Sequence, residues 1–131
     1  MRHIAAIALA LTLIAPGAVH AAESMTETRI TLQAAFQRSL DASLIDGAVK
    51  QVDLATGEIS SFYPVENHPM ILELGDLYVL CSDLMSKDGA RVTVDYYFAP
   101  VGDTYAVIQT EIDNRPPLDA LMKAGKVTRL K

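Results

Sequence analysis

The sequence predicts an α+β domain: one N-terminal amphipathic helix packed on an antiparallel β-meander of about 4–6 strands, with a short C-terminal helix. Three observations predict it. Residues 31–45 carry apolar side chains at helical spacing. Residues 77–112 hold three runs of β-branched, aromatic and alternating residues broken by turn signals. Pro116-Pro117 opens a last short helical pattern that Gly125 closes.

Ahead of the domain, residues 1–21 have the pattern of a cleavable export signal. Met1-Arg2-His3 is a basic start, Ile4 to Ile14 is apolar except for Thr12, and Pro16-Gly17 breaks the run. Val19-His20-Ala21 then puts short residues at the positions a signal peptidase reads, for a cut after Ala21. The run is shorter than the roughly 20 residues a bilayer core demands. No cysteine lies near the cut, which argues against a lipid-anchored form. The expectation is a periplasmic or secreted protein whose single domain spans 22–131, with 22–30 as a flexible lead-in.

The first element of that domain is the helix. Leu32, Ala35, Phe36, Leu40 and Leu44 fall on one stripe, while Gln33, Gln37, Arg38 and Asp41 fall elsewhere. Ser24-Met25-Thr26-Glu27 has the spacing of a capping box, and the β-branched residues in Thr28–Thr31 would delay the start. Gly47 is the expected stop. A hairpin should follow, pairing 48–54 with 59–65 around Ala55-Thr56-Gly57-Glu58. Pro64 should confine the second strand to an edge or end it early. Glu66 to Pro69 reads as a loop, and Met70–Leu74 as a further short strand.

In the meander, Lys87-Asp88-Gly89 joins strands 77–86 and 90–99. With Gly89 in the left-handed position of a three-residue loop, Leu84 faces Val92, Ser82 faces Val94, Leu80 faces Tyr96 and Tyr78 faces Phe98. A two-residue turn would mix polar and apolar side chains, so the apolar match selects the first register. Across Pro100–Asp103 the same logic sets Phe98 against Ala106, Tyr96 against Ile108, Val94 against Thr110 and Val92 against Ile112. The helical stripe covers this face. Val127 to Leu130 would add a last strand.

The opposite face then gathers polar side chains: Asp83, Cys81, Thr93, Asp95, Tyr97, Gln109 and Glu111, with Arg91 near Asp113. Antiparallel sheets commonly leave one face in water, and alternating polar residues suit that role. The same set, with Tyr105, Val79 and Val107, is the candidate platform for a protein, peptide or small ligand, because amphipathic aromatics serve interfaces. Exposed edge strands offer a second mode, the addition of a partner strand. The order of one helix and then a meander resembles the cystatin-like and PepSY-like architectures. The resemblance is one of shape, which says little about activity.

Charge and composition narrow the function classes. Without residues 1–21 the chain has 16 acids and 10 bases, a formal charge of −6. A nucleic-acid partner would require the opposite surplus. The bases concentrate in residues 115–131, where Arg115, Lys123, Lys126, Arg129 and Lys131 face only Asp119. Such a tail either docks on the acidic body or offers weak contact to a membrane surface or acidic partner.

Catalytic sets are incomplete. Once the leader leaves, His68 is the only histidine, and Cys81 is the only cysteine. They exclude a Cys₂His₂, Cys₄ or three-histidine zinc site within one chain. No phosphate-binding glycine loop, nucleophile elbow or EF-hand loop occurs, and no cofactor is expected. A nucleophile made of Cys81, His68 and a carboxylate is stoichiometrically possible, but nothing in the spacing suggests it. The leading expectation is therefore a non-catalytic exported binding module. The rival is a small enzyme with a helix–sheet pocket using carboxylates and either His68 or Tyr96. Disulfide-linked dimerisation through Cys81 is a third.

Overall fold

The computed structural model describes residues 17–131, with side chains from Ser24 onward. Residues 1–16, most of the segment expected to be an export signal, lie outside the described residues. The element order is α1 (Gly17–Ser43), β1 (Leu44–Ile45), β2 (Ala48–Val52), β3 (Ile59–Leu74), β4 (Leu77–Ser86), β5 (Arg91–Val101), β6 (Thr104–Ile112), α2 (Pro116–Lys123) and β7 (Thr128–Arg129). All pairs are antiparallel, in the order β1-β2-β3-β4-β5-β6, with β7 also on β3. The predicted α+β layout holds, and the two-residue strands β1 and β7 bring the sheet to seven.

The apolar stripe sets how α1 sits. Leu32, Ala35, Phe36 and Leu40 are buried against Leu80, Leu84, Val94, Tyr96 and Phe98. Phe36 lies edge-on to Phe98, with ring centroids 6.0 Å apart. Burial of several large side chains at about 1.5–3 kcal/mol each is what holds helix to sheet. The delayed start expected over Thr28–Thr31 is absent: α1 runs without interruption through Ser24 and Thr28–Thr31, so Ser24 is helical interior and not a cap. Weak local propensity is overridden where the residues that follow dock on a core. Gly47 does not end α1. It closes the tight Asp46-Gly47 hairpin that joins β1 to β2, since Ile45 pairs with Ala48.

The β2–β3 hairpin is the expected one, with Val52 opposite Ile59 and Asp53 Oδ1 accepting from the Ala55 and Thr56 amides. The next prediction fails. Residues 66–69 are not a loop, because β3 continues for 16 residues between β2 and β4. Its two prolines are accommodated by register shifts between Pro64 and Glu66 and between Asn67 and Ile71. A proline cannot donate to the ladder, and a bulge supplies a place where no donor is needed.

The β4–β5 register is the predicted one at every pair, including Cys81 opposite Asp95 and Asp83 opposite Thr93. Gly89, at φ 89°, donates to the Ser86 carbonyl at 3.0 Å and takes the left-handed position assigned to it. The β5–β6 register needs correction. The turn is shorter than expected, with Val101 opposite Thr104 and Gly102 at φ 60°. A bulge between the Phe98–Val107 and Tyr97–Gln109 pairs then inserts Ile108. Tyr105 and Val107 consequently pack on the α1 side and leave the opposite face, whereas Ile108 is 58% exposed.

The second face of the sheet is not open to water throughout. Leu118 of α2 and Val127 bury Leu72, Val79, Cys81 and Tyr97, forming a second, smaller core. The chain then crosses the edge of β3: Leu130 N–H donates to the Ile71 carbonyl at 3.0 Å, and the Leu130 side chain enters the first core. The domain is therefore three-layered, with α1, sheet, and α2 with its tail.

Candidate functional site

The residues singled out on the second face divide into three groups. Cys81, Asp95 and Tyr97 are sealed beneath α2, with Asp95 only 2% exposed. Asp83 and Thr93 lie at its margin, where Thr93 Oγ1 donates to Asp83 Oδ1 at 3.0 Å. Gln109 and Glu111 lie towards the β6 edge. There Gln109 Nε2 and Asn114 Nδ2 both donate to the Glu111 carboxylate, which they hold below its usual pKa. The reading of one outward platform therefore fails for Cys81, Asp95 and Tyr97. Burial of odd-numbered β4 and β5 positions required a cover that strand alternation alone does not reveal, and α2 provides it.

The cover places a charge where a buried carboxylate demands one. Arg115, at the N-terminal boundary of α2, donates from Nη1 to Asp95 Oδ1 at 2.5 Å and lies 3.4 Å from Cys81 Sγ. Its Nε is 3.6 Å from Asp119. Burial alone would lower the Arg115 pKa, but Cys81, Asp95 and Asp119 outweigh it and raise it. Of the basic tail, then, one residue docks on the acidic body. Lys123, Lys126, Arg129 and Lys131 make no ion pair among the described residues.

Next to this pair is a second network. Asp83 accepts from Arg91 Nε at 2.8 Å and lies 3.1 Å from His68 Nε2, while Arg91 also reaches Glu66 at 3.0 Å. Burial pushes the Asp83 carboxyl up, but the bonds from His68, Arg91 and Thr93 win and hold it below its usual value. The predicted neighbour of Arg91, Asp113, is not its partner.

Between the two networks the β3 irregularity opens a pocket of about 220 Å³. Three consecutive residues, His68, Pro69 and Met70, stand opposite a single residue of β4, Cys81. The chain bows away there and leaves a space floored by Leu72 and Cys81 and walled by Arg115 and Arg129. Arg129 comes from β7, held by the Leu72–Arg129 pairing. Sequence reasoning found Cys81 and His68 but not the pocket, because its shape depends on a bulge and on a tail strand pairing with β3. The signal present was the pair of prolines in one strand.

Cys81, His68 and Asp83 thus come close, but not as a nucleophilic set. His68 is turned to Asp83, and the Cys81 thiol meets Arg115 and Asp95. Burial first, and the Asp95 carboxylate second, push that thiol up to about 12. At pH 7 the thiolate fraction is then on the order of 10⁻⁵, too small for an attacking group. The helix–sheet interior is separate. Its buried polar side chains are Ser82 and Tyr96, and burial raises the Tyr96 phenol further above neutrality. His68 lies on the other side of the sheet. A groove of about 400 Å³ between β2 and β6 touches Tyr96 but has no histidine or carboxylate in its lining. Among the described residues no three His, Cys, Asp or Glu side chains cluster as a metal site, and no helix is long and apolar enough to cross a membrane.

Fold and site together define a small three-layer α+β protein with a pocket at an interrupted strand. Comparison with protein-family models, curated proteins and solved structures finds no match to this chain.

Proposed function

We propose that the protein is an exported, non-catalytic binding module whose ligand enters the pocket bounded by His68, Met70, Cys81, Arg115 and Arg129. The observation that carries this reading is the contrast between the pocket and its surroundings. Elsewhere on the second face, Asp83, Arg91, Glu66, Asp95 and Glu111 already satisfy one another or nearby donors. The pocket combines a concave apolar floor with polar groups converging from separate elements, the pattern of a small-ligand site. The missing nucleophile favours binding over turnover. Export is supported by the basic, apolar and short-residue succession over residues 1–21.

Two measurements test the reading. N-terminal sequencing of protein recovered from the cell envelope should begin at Ala22; a chain that still begins at Met1 would remove export. A fragment set screened by saturation-transfer NMR should give binders whose signal disappears in Met70→Trp, a change at a half-exposed pocket wall. Binders that ignore this change would move the site elsewhere.

The rival enzyme reading needs a polar group in a pocket under α1; the Ser82 and Tyr96 hydroxyls are buried there without a partner among the described residues, while His68 lies on the other side of the sheet. Dimerisation through Cys81 would need an accessible thiol, and this one is 5% exposed.

A further inference from the structure

We infer that the pocket selects a carboxylate on a short apolar body. This rests on the reading of the pocket as the ligand site and adds the chemical class of the ligand. The argument begins with sign. The chain carries 16 acids against 11 bases, yet the pocket lining contains two arginines, a histidine and no aspartate or glutamate. The groove at the α1 N-terminal half has Glu27 and Asp103 in its wall, and the one beside β3 and the β4–β5 turn pairs Lys87 with Asp88. Cations converging on a low-dielectric concavity attract an anion far more than the same charges on an open surface.

The two arginines are not equivalent. Arg115 is committed to Asp95 through Nη1 and to Asp119 through Nε, which fixes its plane and largely neutralises it. Arg129 is exposed, has no acidic partner among the described residues, and is positioned by strand pairing to β3. It therefore supplies the uncompensated charge, and a guanidinium fork matches the two oxygens of a carboxylate. Pro69, Met70 and Leu72 supply the apolar wall. The volume, about 220 Å³, lies below the roughly 300 Å³ at which drug-sized sites begin, so the body is short. A free short-chain acid and the C-terminal residue of a peptide present this same chemistry.

The test is an amide-resolved NMR titration of the full domain with hexanoate, its neutral isostere hexanamide, hexylamine, and N-acetyl-Ala-Leu as free acid and as amide. Hexanoate should shift the amides of 68–72 and 128–130, hexanamide should bind at least tenfold more weakly, and Arg129→Gln should remove that difference with an unchanged spectrum elsewhere. A tighter free-acid peptide than hexanoate would identify a chain terminus as the source; the reverse order would identify a free acid. Equal binding of acid and amide, or full acid binding by Arg129→Gln, would overturn the carboxylate inference while leaving the pocket a ligand site. No shift in 68–72 with any of the five probes would overturn both.

Discussion

The two faces of the sheet are built by different physics. The α1 face is an apolar contact in which Leu32, Phe36, Leu80, Leu84, Val94 and Phe98 pack together. The α2 face is smaller and mixed, with Leu72, Val79, Tyr97 and Leu118 packed beside a buried Asp95–Arg115 pair and a protonated thiol. The first face holds the fold together. The second leaves polar groups to be arranged, and there a pocket forms whose charged lining side chains are all basic. Removing apolar volume should therefore injure the first face most, and removing a charge partner the second.

The largest effect is expected at Phe98, which has no exposed surface and meets the Phe36 ring edge-on. Phe98→Ala should cost about 4 kcal/mol, from lost transfer energy and the cavity left behind. Urea unfolding should show it as a lowered midpoint with unchanged slope. A cost below about 1 kcal/mol would mean that α1 does not depend on this contact.

Arg115→Leu should come next, at about 3 kcal/mol, because it strands the buried Asp95 carboxylate without its cationic partner. The double variant Asp95→Leu, Arg115→Leu should recover more than half of that loss, since a well-packed apolar pair commonly replaces a buried ion pair without penalty. If the double variant is as unstable as the single one, packing by the Arg115 stem and not charge explains the loss.

Cys81 gives a smaller, pH-dependent effect. The folded thiol titrates near 12 and an unconstrained one near 9, because burial and Asp95 disfavour the thiolate. Above pH 9 the unfolded chain releases this proton first, so the folded state binds more protons and stability falls as pH rises. The contribution is intact below pH 9 and is lost progressively as pH rises towards 12. The Tyr78, Tyr96 and Tyr97 phenols are raised in the same direction and tilt the alkaline limb in any variant. Cys81→Ala should make that limb shallower by the thiol's share, and an identical slope would mean that the thiol is solvated.

How far each face was legible follows from the same contrast. The α1 face could be read because helical spacing and strand alternation are local patterns, and Gly89 fixed the β4–β5 register from within a three-residue loop. Cys81, Asp83 and Asp95 were read as side chains of the second face, which they are. Their burial was not legible, because the α2 cover depends on where residues 115–130 return in space, and no periodicity records that. Pro64 implies an edge strand or an early end, and Pro69 the end of a loop, yet β3 bulges around both and continues. A proline announces a missing donor but not whether the chain stops or bends there. The pocket results from one such bend, so its site was invisible while its residues were not.

The smallest effect separates the two accounts of β6 most cleanly. Pairing outward from a four-residue turn places Ile108 against Tyr96 under α1, where a lysine would cost several kcal/mol for its buried charge. The structure instead closes the turn at Gly102 and inserts Ile108 as a bulge, with more than half of its side chain in water. Ile108→Lys should then change stability by less than about 0.5 kcal/mol, as surface substitutions do. It should also reduce self-association, because β6 is an edge strand whose other side chains include no lysine or arginine, and a charge on an edge discourages strand pairing between copies. Urea midpoints and sedimentation of the two forms would measure both. A loss of several kcal/mol would restore the unbulged register and return Tyr105 and Val107 to the α2 side of the sheet. The pocket face would then be broader and more aromatic than the one described.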